Sequence, residues 1–129
     1  MVTDFEETFK QAFIPVVKSD LGFNNFYYIS SNTLSPDLFI NNINVRNFIG
    51  TFKSTNFAFI PENLFANNVN VENFIGTFEN LKLSSITEIG NPNSLQTIPS
   101  GLFRNNINVK SFKECFKDTN FTNISDNIF

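Results

Sequence analysis

The residues that could carry out chemistry in this 129-residue chain are its carboxylates and one thiol. It has 12 acidic residues, a single cysteine at position 115, and no histidine. Without histidine it lacks the usual general base and the commonest nitrogen ligand for metals. A single cysteine also cannot form an intrachain disulfide. Any catalytic chemistry would therefore have to come from carboxylates or from Cys115.

The carboxylates do not recur in a pattern that suits catalysis or metal binding. Glu6 and Glu7 are adjacent, so on a helix they would point about 100° apart into solvent. Glu62, Glu72 and Glu79 belong to one copy of a repeat whose other copies carry Asp or Ser, Arg or Lys, and Lys at these places. A ladder of catalytic groups or metal ligands would repeat its residues. We therefore predict no catalytic residue, no metal site and no cofactor, and a protein that is not an enzyme.

Cys115 and the overall charge exclude further functions. Cys115 stands where other copies of the repeat have Thr51 and Thr77, one residue before a core phenylalanine, which predicts a partly buried small residue. A reactive thiol would need a basic partner or a helix N-terminus beside it. The net charge is −3 and the pI is about 4.8, with no basic stripe. Nucleic acid and anionic membrane are therefore poor partners, and we predict no membrane insertion.

A repeated phrase determines where these residues lie. It reads Ile-Pro-Glu-Asn-Leu-Phe-Ala-Asn-Asn-Val-Asn-Val-Glu-Asn-Phe-Ile-Gly-Thr-Phe over 60–78, and it returns over 34–52 and 98–116. Phe39 precedes Phe65 by 26 residues, Phe65 precedes Phe103 by 38, and Phe103 precedes Phe129 by 26. The middle gap is one period plus a 12-residue insertion. A fixed period of this size is typical of solenoids, whose units bury their apolar faces on one another.

The period divides the chain into two parts. We predict an irregular N-terminal cap with a partial repeat over 1–33, and a repeat array over 34–129. The units of the array are 34–59, 60–97 with an insertion at about 81–93, 98–123, and a partial unit 124–129. Because the first and last units are partial, we expect either a longer array or a stack whose ends are capped by a partner.

Within each unit, apolar spacing predicts helices and strands. Val71, Phe74 and Phe78 recur at i, i+3 and i+7, which predicts a short helix from about Val71 with Asn70 as its N-cap. The segment 61–65 predicts a second helical turn with proline at its first position. Segments 57–60, 95–98 and 121–124 predict short parallel strands stacked across units. A rival reading places the strand on 71–75. The favoured fold class is thus α/β, a leucine-rich-repeat-like solenoid with one short strand and one or two short helices in each repeat of about 26 residues.

The phrase over 44–55 resembles a known family. Its pattern, Asn-Val-x-x-Phe-x-x-Thr-Phe-x-x-Thr, is similar to the Asn-Val-x-x-Met-x-x-Met-Phe-x-x-Cys of the BspA-like leucine-rich repeats found in bacterial and phage surface proteins. Phe replaces the first Met, Thr the second, and Thr55 and Thr119 stand where the family often has cysteine. The resemblance covers about 34–129. It implies an α/β solenoid that serves adhesion or recognition, and it brings no catalytic residues.

These observations predict a non-enzymatic recognition or adhesion module that binds a protein or glycan surface. Binding would use the outer side of the strands and the insertion. The candidate binding residues are Ala58, Gln96, Thr97, Thr122, Asn123, Glu88, Asn91 and Asn93. The alternative is a structural component of a phage virion or another assembly, such as a tail, fibre or decoration protein, with neighbouring subunits or a homo-oligomer as partners. Either reading predicts a location at the cell surface or in a virion.

Overall fold

The computed structural model describes residues 2–10, 34–57, 59–83 and 97–129. These residues form stacked coils, and each coil lies on the next in parallel. Isolated parallel bridges join Asp4 to Asn47, Asn47 to Asn73, and Asn73 to Ser111. The four bridge positions are equivalent in the repeat, so successive units stack in register. The bridge between Asn47 and Asn73 spans one period of 26 residues, and the other two bridges span one period plus an insertion.

The strands are short and occur in two small sheets. They are β1 (Asn56–Phe57), β2 (Lys82–Leu83), β3 (Thr97–Ile98) and β4 (Asn123–Ile124). β1 pairs with β2 and β3 pairs with β4, both in parallel. The sequence predicted strands at 95–98 and 121–124 that pair in parallel across units. β3 and β4 lie at the C-terminal ends of these two segments and do pair in this way.

The predicted helix over 71–78 is wrong, and the described residues contain no helix at all. This segment consists of consecutive turns instead. The amides of Thr77, Glu79 and Leu81 each donate to the carbonyl three residues earlier. Gly76 and Asn80 have positive φ angles of 59° and 54° at the third position of two of these turns. That is the pattern of the type II turn, and it interrupts any right-handed helix.

The intervening amides bond to the next coil. Those of Phe74, Gly76 and Phe78 donate to carbonyls of the following unit at 2.9–3.0 Å. In a helix the same amides would bond to the carbonyl four residues earlier. The segment over 61–65 behaves similarly, because Leu64 donates to the Pro61 carbonyl in a turn, not in a helix. The α/β assignment is therefore corrected to stacked coils of turns with short parallel strands.

Phenylalanine columns fill the interior of the stack. Equivalent rings of successive units lie face to face, with centroids 5.5–6.0 Å apart. The three columns are Phe5–Phe48–Phe74–Phe112, Phe9–Phe52–Phe78–Phe116, and Phe39–Phe65–Phe103–Phe129. Offset stacking at such distances is a favourable arrangement for aromatic rings. Rings from all three columns also contact each other within a coil, which joins the columns into one core.

The ring spacing explains why helices cannot form. Neighbouring strands lie about 4.7–4.9 Å apart, whereas packed helices need about 8–10 Å between their axes. Rings at equivalent positions can stack at 5.5–6.0 Å only if each unit adds one layer of extended or turn backbone. Repeating Phe at each inward position therefore selects thin layers. Spacing of i, i+3 and i+7 is satisfied as well by two consecutive turns as by a helix.

Buried asparagines and threonines hold the layers together. The Asn68 amide nitrogen donates to the carbonyls of Phe39 and Asn42 at 3.1 and 3.0 Å. Its equivalent Asn106 makes the same two bonds to Phe65 and Asn68 of the unit that precedes it. The Thr77 hydroxyl donates to the Phe48 carbonyl at 2.7 Å. Each of these carbonyls also accepts an amide of its own turn, so the buried side chains add a second hydrogen bond that joins one layer to the next. This role explains much of the abundance of asparagine.

Candidate functional site

One corner of each coil carries an exposed apolar residue between asparagines. Ile43, Val69 and Ile107 are equivalent positions of three successive units, and their exposed fractions are 53%, 43% and 85%. We call these residues and the asparagines beside them the corner face. The flanking columns are Asn41–Asn67–Asn105 and Asn44–Asn70–Asn108. The turn has to expose this position, but nothing in the fold requires it to be a branched aliphatic residue.

The asparagines of the corner face are held in fixed orientations. The Asn70 amide nitrogen donates to the Ile43 carbonyl at 2.9 Å, and Asn108 donates to Val69 at 3.0 Å. On the other side of the apolar column, Asn67 and Asn105 donate in the same way to the preceding unit. These four amide groups, of the six in the corner face, thus use their nitrogens within the stack. The side-chain oxygens, which are acceptors, have no protein partner among the described residues.

A row of charged residues borders the corner face. Glu72 accepts hydrogen bonds from Arg46 of the preceding unit and Lys110 of the following unit, at equivalent positions of the repeat. The side chains of Arg46 and Lys110 are 63% and 70% exposed, and that of Glu72 is 24% exposed. Together with Asn70 and Asn108 they line an open hollow of about 350 Å³.

The electrostatics of the row suit binding and not acid–base chemistry. Hydrogen bonds from Lys110 and then Arg46 lower the pKa of the Glu72 carboxyl below its ordinary value. A carboxyl that stays ionised near neutral pH is a poor general acid and a weak base. Two cations share one carboxylate, so the row has a net positive charge with unused N–H donors. The hollow therefore offers donors at the row and amide oxygens at the corner.

Cys115 cannot act as a nucleophile in this arrangement. It is 3% exposed and belongs to the core. Burial raises the pKa of its thiol to about 12, although contacts with Phe78 and Thr77 oppose this effect. Since the thiolate is the reactive form, a thiol that stays protonated in the core is inert. The expectation of a partly buried small residue at this position understates its burial.

The described residues also show no centre for metal ions and no membrane span. No group of three or more Cys, Asp or Glu side chains converges among them in a way that could hold a metal ion. Within the same part of the chain, no helix has the length and apolarity needed to cross a bilayer.

A second hollow of about 90 Å³ lies between the turns 36–40 and 63–68, and it has room for only a few water molecules.

The residues predicted from the sequence lie elsewhere. Thr97 and Asn123 are directly paired across β3 and β4, so the structure brings these two together. Thr122 and Asn123 are exposed, whereas Thr97 is half-buried and its hydroxyl has no hydrogen-bond partner among the described residues. None of the three lines the 350 Å³ hollow. The other predicted residues lie outside the described residues: Ala58, Gln96, Glu88, Asn91 and Asn93.

Sequence reasoning missed the corner face because it assigned these asparagines to helix caps. Asn70 caps no helix, since its amide bonds to the carbonyl of Ile43 in the preceding unit. A usable signal was present in the repeated Asn-Asn-x-Asn segment. An aliphatic residue that returns at x in a polar turn, in three copies, is unexpected for a turn that needs only polar or small residues.

The chain matches no protein-family model, no curated protein and no solved structure. The resemblance to BspA-like repeats therefore stays a prediction, and the helices that it implied do not occur in the part of the chain that the structure describes.

Proposed function

We propose that this chain is a non-enzymatic recognition module that binds a protein partner through the corner face. The observation that carries the proposal is the exposed aliphatic column Ile43–Val69–Ile107, bordered by asparagine columns and by the row of Arg46, Glu72 and Lys110. Protein interfaces commonly combine an apolar centre with a polar rim. Apolar residues aligned on one surface of a folded protein often mark such an interface.

A protein partner fits this face better than a glycan does. The corner turns 40–44, 66–70 and 104–108 contain no aromatic residue on which a sugar ring could stack. Apart from Ala66 and Arg104, their side chains are branched aliphatics and amides, which complement apolar side chains and backbone amides of a protein. The hydrogen-bonded asparagines are already ordered in the free chain, so little conformational entropy is lost when they bind.

The test uses two matched variants on rival surfaces. Ile107→Asp places a charge in the centre of the corner face, and Thr122→Asp places the same charge on the strand side predicted from the sequence. Both residues are exposed, so both variants should unfold at the wild-type temperature. Binding to a panel of purified cell-surface and virion proteins, and to a glycan array, would be measured by biolayer interferometry.

We expect a protein ligand whose binding is lost in Ile107→Asp and retained in Thr122→Asp. The reverse result would transfer the site to the strand side. Binding only to glycans would contradict the choice of a protein partner. If neither variant affects a bound ligand, the corner face is not the site.

A specific observation also favours the second candidate, a structural subunit of an assembly. In the layer over 110–118, the N–H groups on one side have no hydrogen-bond partner among the described residues. In the layer over 2–10, the same is true of the carbonyls on one side. Unpaired edges of this kind are templates for pairing with another chain. A phage or virion origin and a location at a cell surface stay predictions in either case.

A further inference from the structure

The layer over 110–118 has one paired side and one unpaired side. At each internal junction, alternate amides of one layer donate to carbonyls of the next, as Gly50 does to Ile75 at 2.8 Å and Gly76 does to Lys113 at 2.9 Å. In the layer over 110–118 the equivalent amides have no hydrogen-bond partner among the described residues. This donor edge consists of the N–H groups of Phe112, Glu114, Phe116 and Asp118.

The layer over 2–10 presents the complementary groups on its outer side. Its amides at Phe5, Glu7 and Phe9 donate inward to the following layer. The carbonyls of Asp4, Glu6 and Thr8 accept no hydrogen bond from any described residue. In internal layers the equivalent carbonyls of Asn47, Ile49 and Thr51 all accept one from the preceding layer. This acceptor edge therefore matches the first three of the four N–H groups of the donor edge, position by position.

The side chains along the same register are complementary too. Glu6, Ile49, Ile75 and Lys113 occupy equivalent positions of four successive layers. The two inner members are apolar, and the outer two carry opposite charges with no ion pair among the described residues. If the donor edge of one copy met the acceptor edge of another, Lys113 would lie directly beside Glu6.

Four further charged residues of the two edges are already paired within their own layers. In the same register, Glu114 would face Glu7 and Lys117 would face Lys10, which are like charges. However, Lys10 lies 2.6 Å from Glu7, and Lys117 lies 3.9 Å from Glu114. Each edge thus presents these residues as a neutral pair. Lys113 and Glu6 have no such partner among the described residues, and they are opposite charges that would face each other directly across the junction.

The phenylalanine columns end with room for a further ring. Phe39 packs between Phe5 of the preceding layer at 5.0 Å and Phe48 of its own layer at 4.7 Å. Its equivalent Phe129 has the first of these neighbours, Phe112 at 5.1 Å, and it remains 66% exposed. In the stack, Phe5 of a second copy would take the place that Phe48 has beside Phe39.

We propose that the chain binds a second copy of itself head to tail, with the donor edge of one copy on the acceptor edge of the next. Because the two surfaces differ, the contact is heterologous and can continue into open stacks. The proposal does not depend on the corner face. Stacking is measured on the pure chain, and recognition is measured with a partner, so either can fail without the other.

The test exchanges the two charges at the junction. Lys113→Glu and Glu6→Lys each replace an attraction by a repulsion, whereas Glu62→Lys makes a matched charge change at an exposed position of an inner unit. Sedimentation velocity and light scattering over a wide concentration range would give the mass. We expect concentration-dependent stacks for wild type and for Glu62→Lys, and roughly two- to tenfold weaker association for each junction variant.

Mixing the two junction variants gives the decisive result. Lys113→Glu has carboxylates on both edges and Glu6→Lys has lysines on both edges, so each repels itself and complements the other. An equimolar mixture should therefore associate as strongly as wild type, in alternating order. A wild-type chain that stays monomeric at all concentrations would overturn the proposal. So would a mixture that associates no better than its components, provided that both variants unfold at the wild-type temperature.

Discussion

The buried phenylalanine column through Phe39 and Phe103 and the exposed aliphatic column through Ile43 and Ile107 come from the same repeat. We call them the inner and the outer column, and different physical requirements apply to each. Phe39 and Phe103 are 1% and 3% exposed, whereas Ile43 and Ile107, four residues further on, are 53% and 85% exposed. The inner column is regular because rings must stack to fill the core. The outer column is equally regular although exposed aliphatic side chains contribute little to folding. Packing accounts for the first column but not for the second, which the proposed binding role would explain.

The largest effect is expected from removing an inner ring. Phe65 is fully buried and lies within 6.0 Å of five other phenylalanine rings. Phe65→Ala should lower the free energy of unfolding by about 3–5 kcal/mol, since the neighbouring layers cannot collapse into the cavity. Urea denaturation followed by circular dichroism would measure it.

The matched outer variant is Val69→Ala. Its side chain is 43% exposed, and substitutions at such positions usually change stability by about 0.5 kcal/mol or less. A Val69→Ala variant that is destabilised as much as Phe65→Ala would show that the corner column is structural. In that case the exposed aliphatic residues would be explained by folding, and they would no longer indicate a binding face.

A smaller effect separates two asparagines of the same turn. Asn68 is buried and donates to two carbonyls, whereas Asn70 is exposed and donates to one. Asn68→Ala should cost about 1–3 kcal/mol, because it removes two hydrogen bonds between layers from the interior of the stack. For Asn70→Ala, water can replace the lost bond, and the cost should be clearly lower. Equal losses in denaturant titrations would mean that burial does not govern these bonds.

The sequence was sufficient to predict the repeat period and which residues face the core. Phenylalanine at 26-residue spacing requires one layer per unit, and Val71, Phe74 and Phe78 do face the core. It was not sufficient for the backbone of that layer. The spacing i, i+3 and i+7 fits both a helix and two consecutive turns, so the positions of the apolar residues alone cannot distinguish the two.

Two residues could have decided between the helix and the turns. Gly76 and Asn80, four residues apart, both adopt positive φ, and their equivalents Gly50 and Ser54 do the same. Glycine in the middle of a short helix is unfavourable, whereas at the third position of a type II turn it is the preferred residue. The candidate site was missed for a related reason, since the corner exists only when these asparagines bond between layers.

The smallest expected effect concerns the charged row beside the corner. Hydrogen bonds from Lys110 and Arg46 lower the pKa of Glu72 in the folded chain. A carboxyl with a lowered folded-state pKa stabilises the fold above its unfolded-state pKa, and this contribution is lost as the pH falls through the folded-state value. Wild type should therefore unfold at a slightly higher temperature than Glu72→Gln at pH 7, and the difference should disappear as the pH falls below the ordinary carboxyl value of 4.5.

Glu62→Gln provides the control for this pH dependence, because Glu62 is exposed and has no ion pair among the described residues. Its unfolding temperature should follow wild type across the whole pH range. A difference between wild type and Glu72→Gln that persists at low pH would mean that packing of the side chain, and not its charge, stabilises the row. In that case contacts other than the ion pairs with Glu72 would hold Arg46 and Lys110 in place. The row would then be a structural feature, like the buried phenylalanine columns, and not part of the corner face.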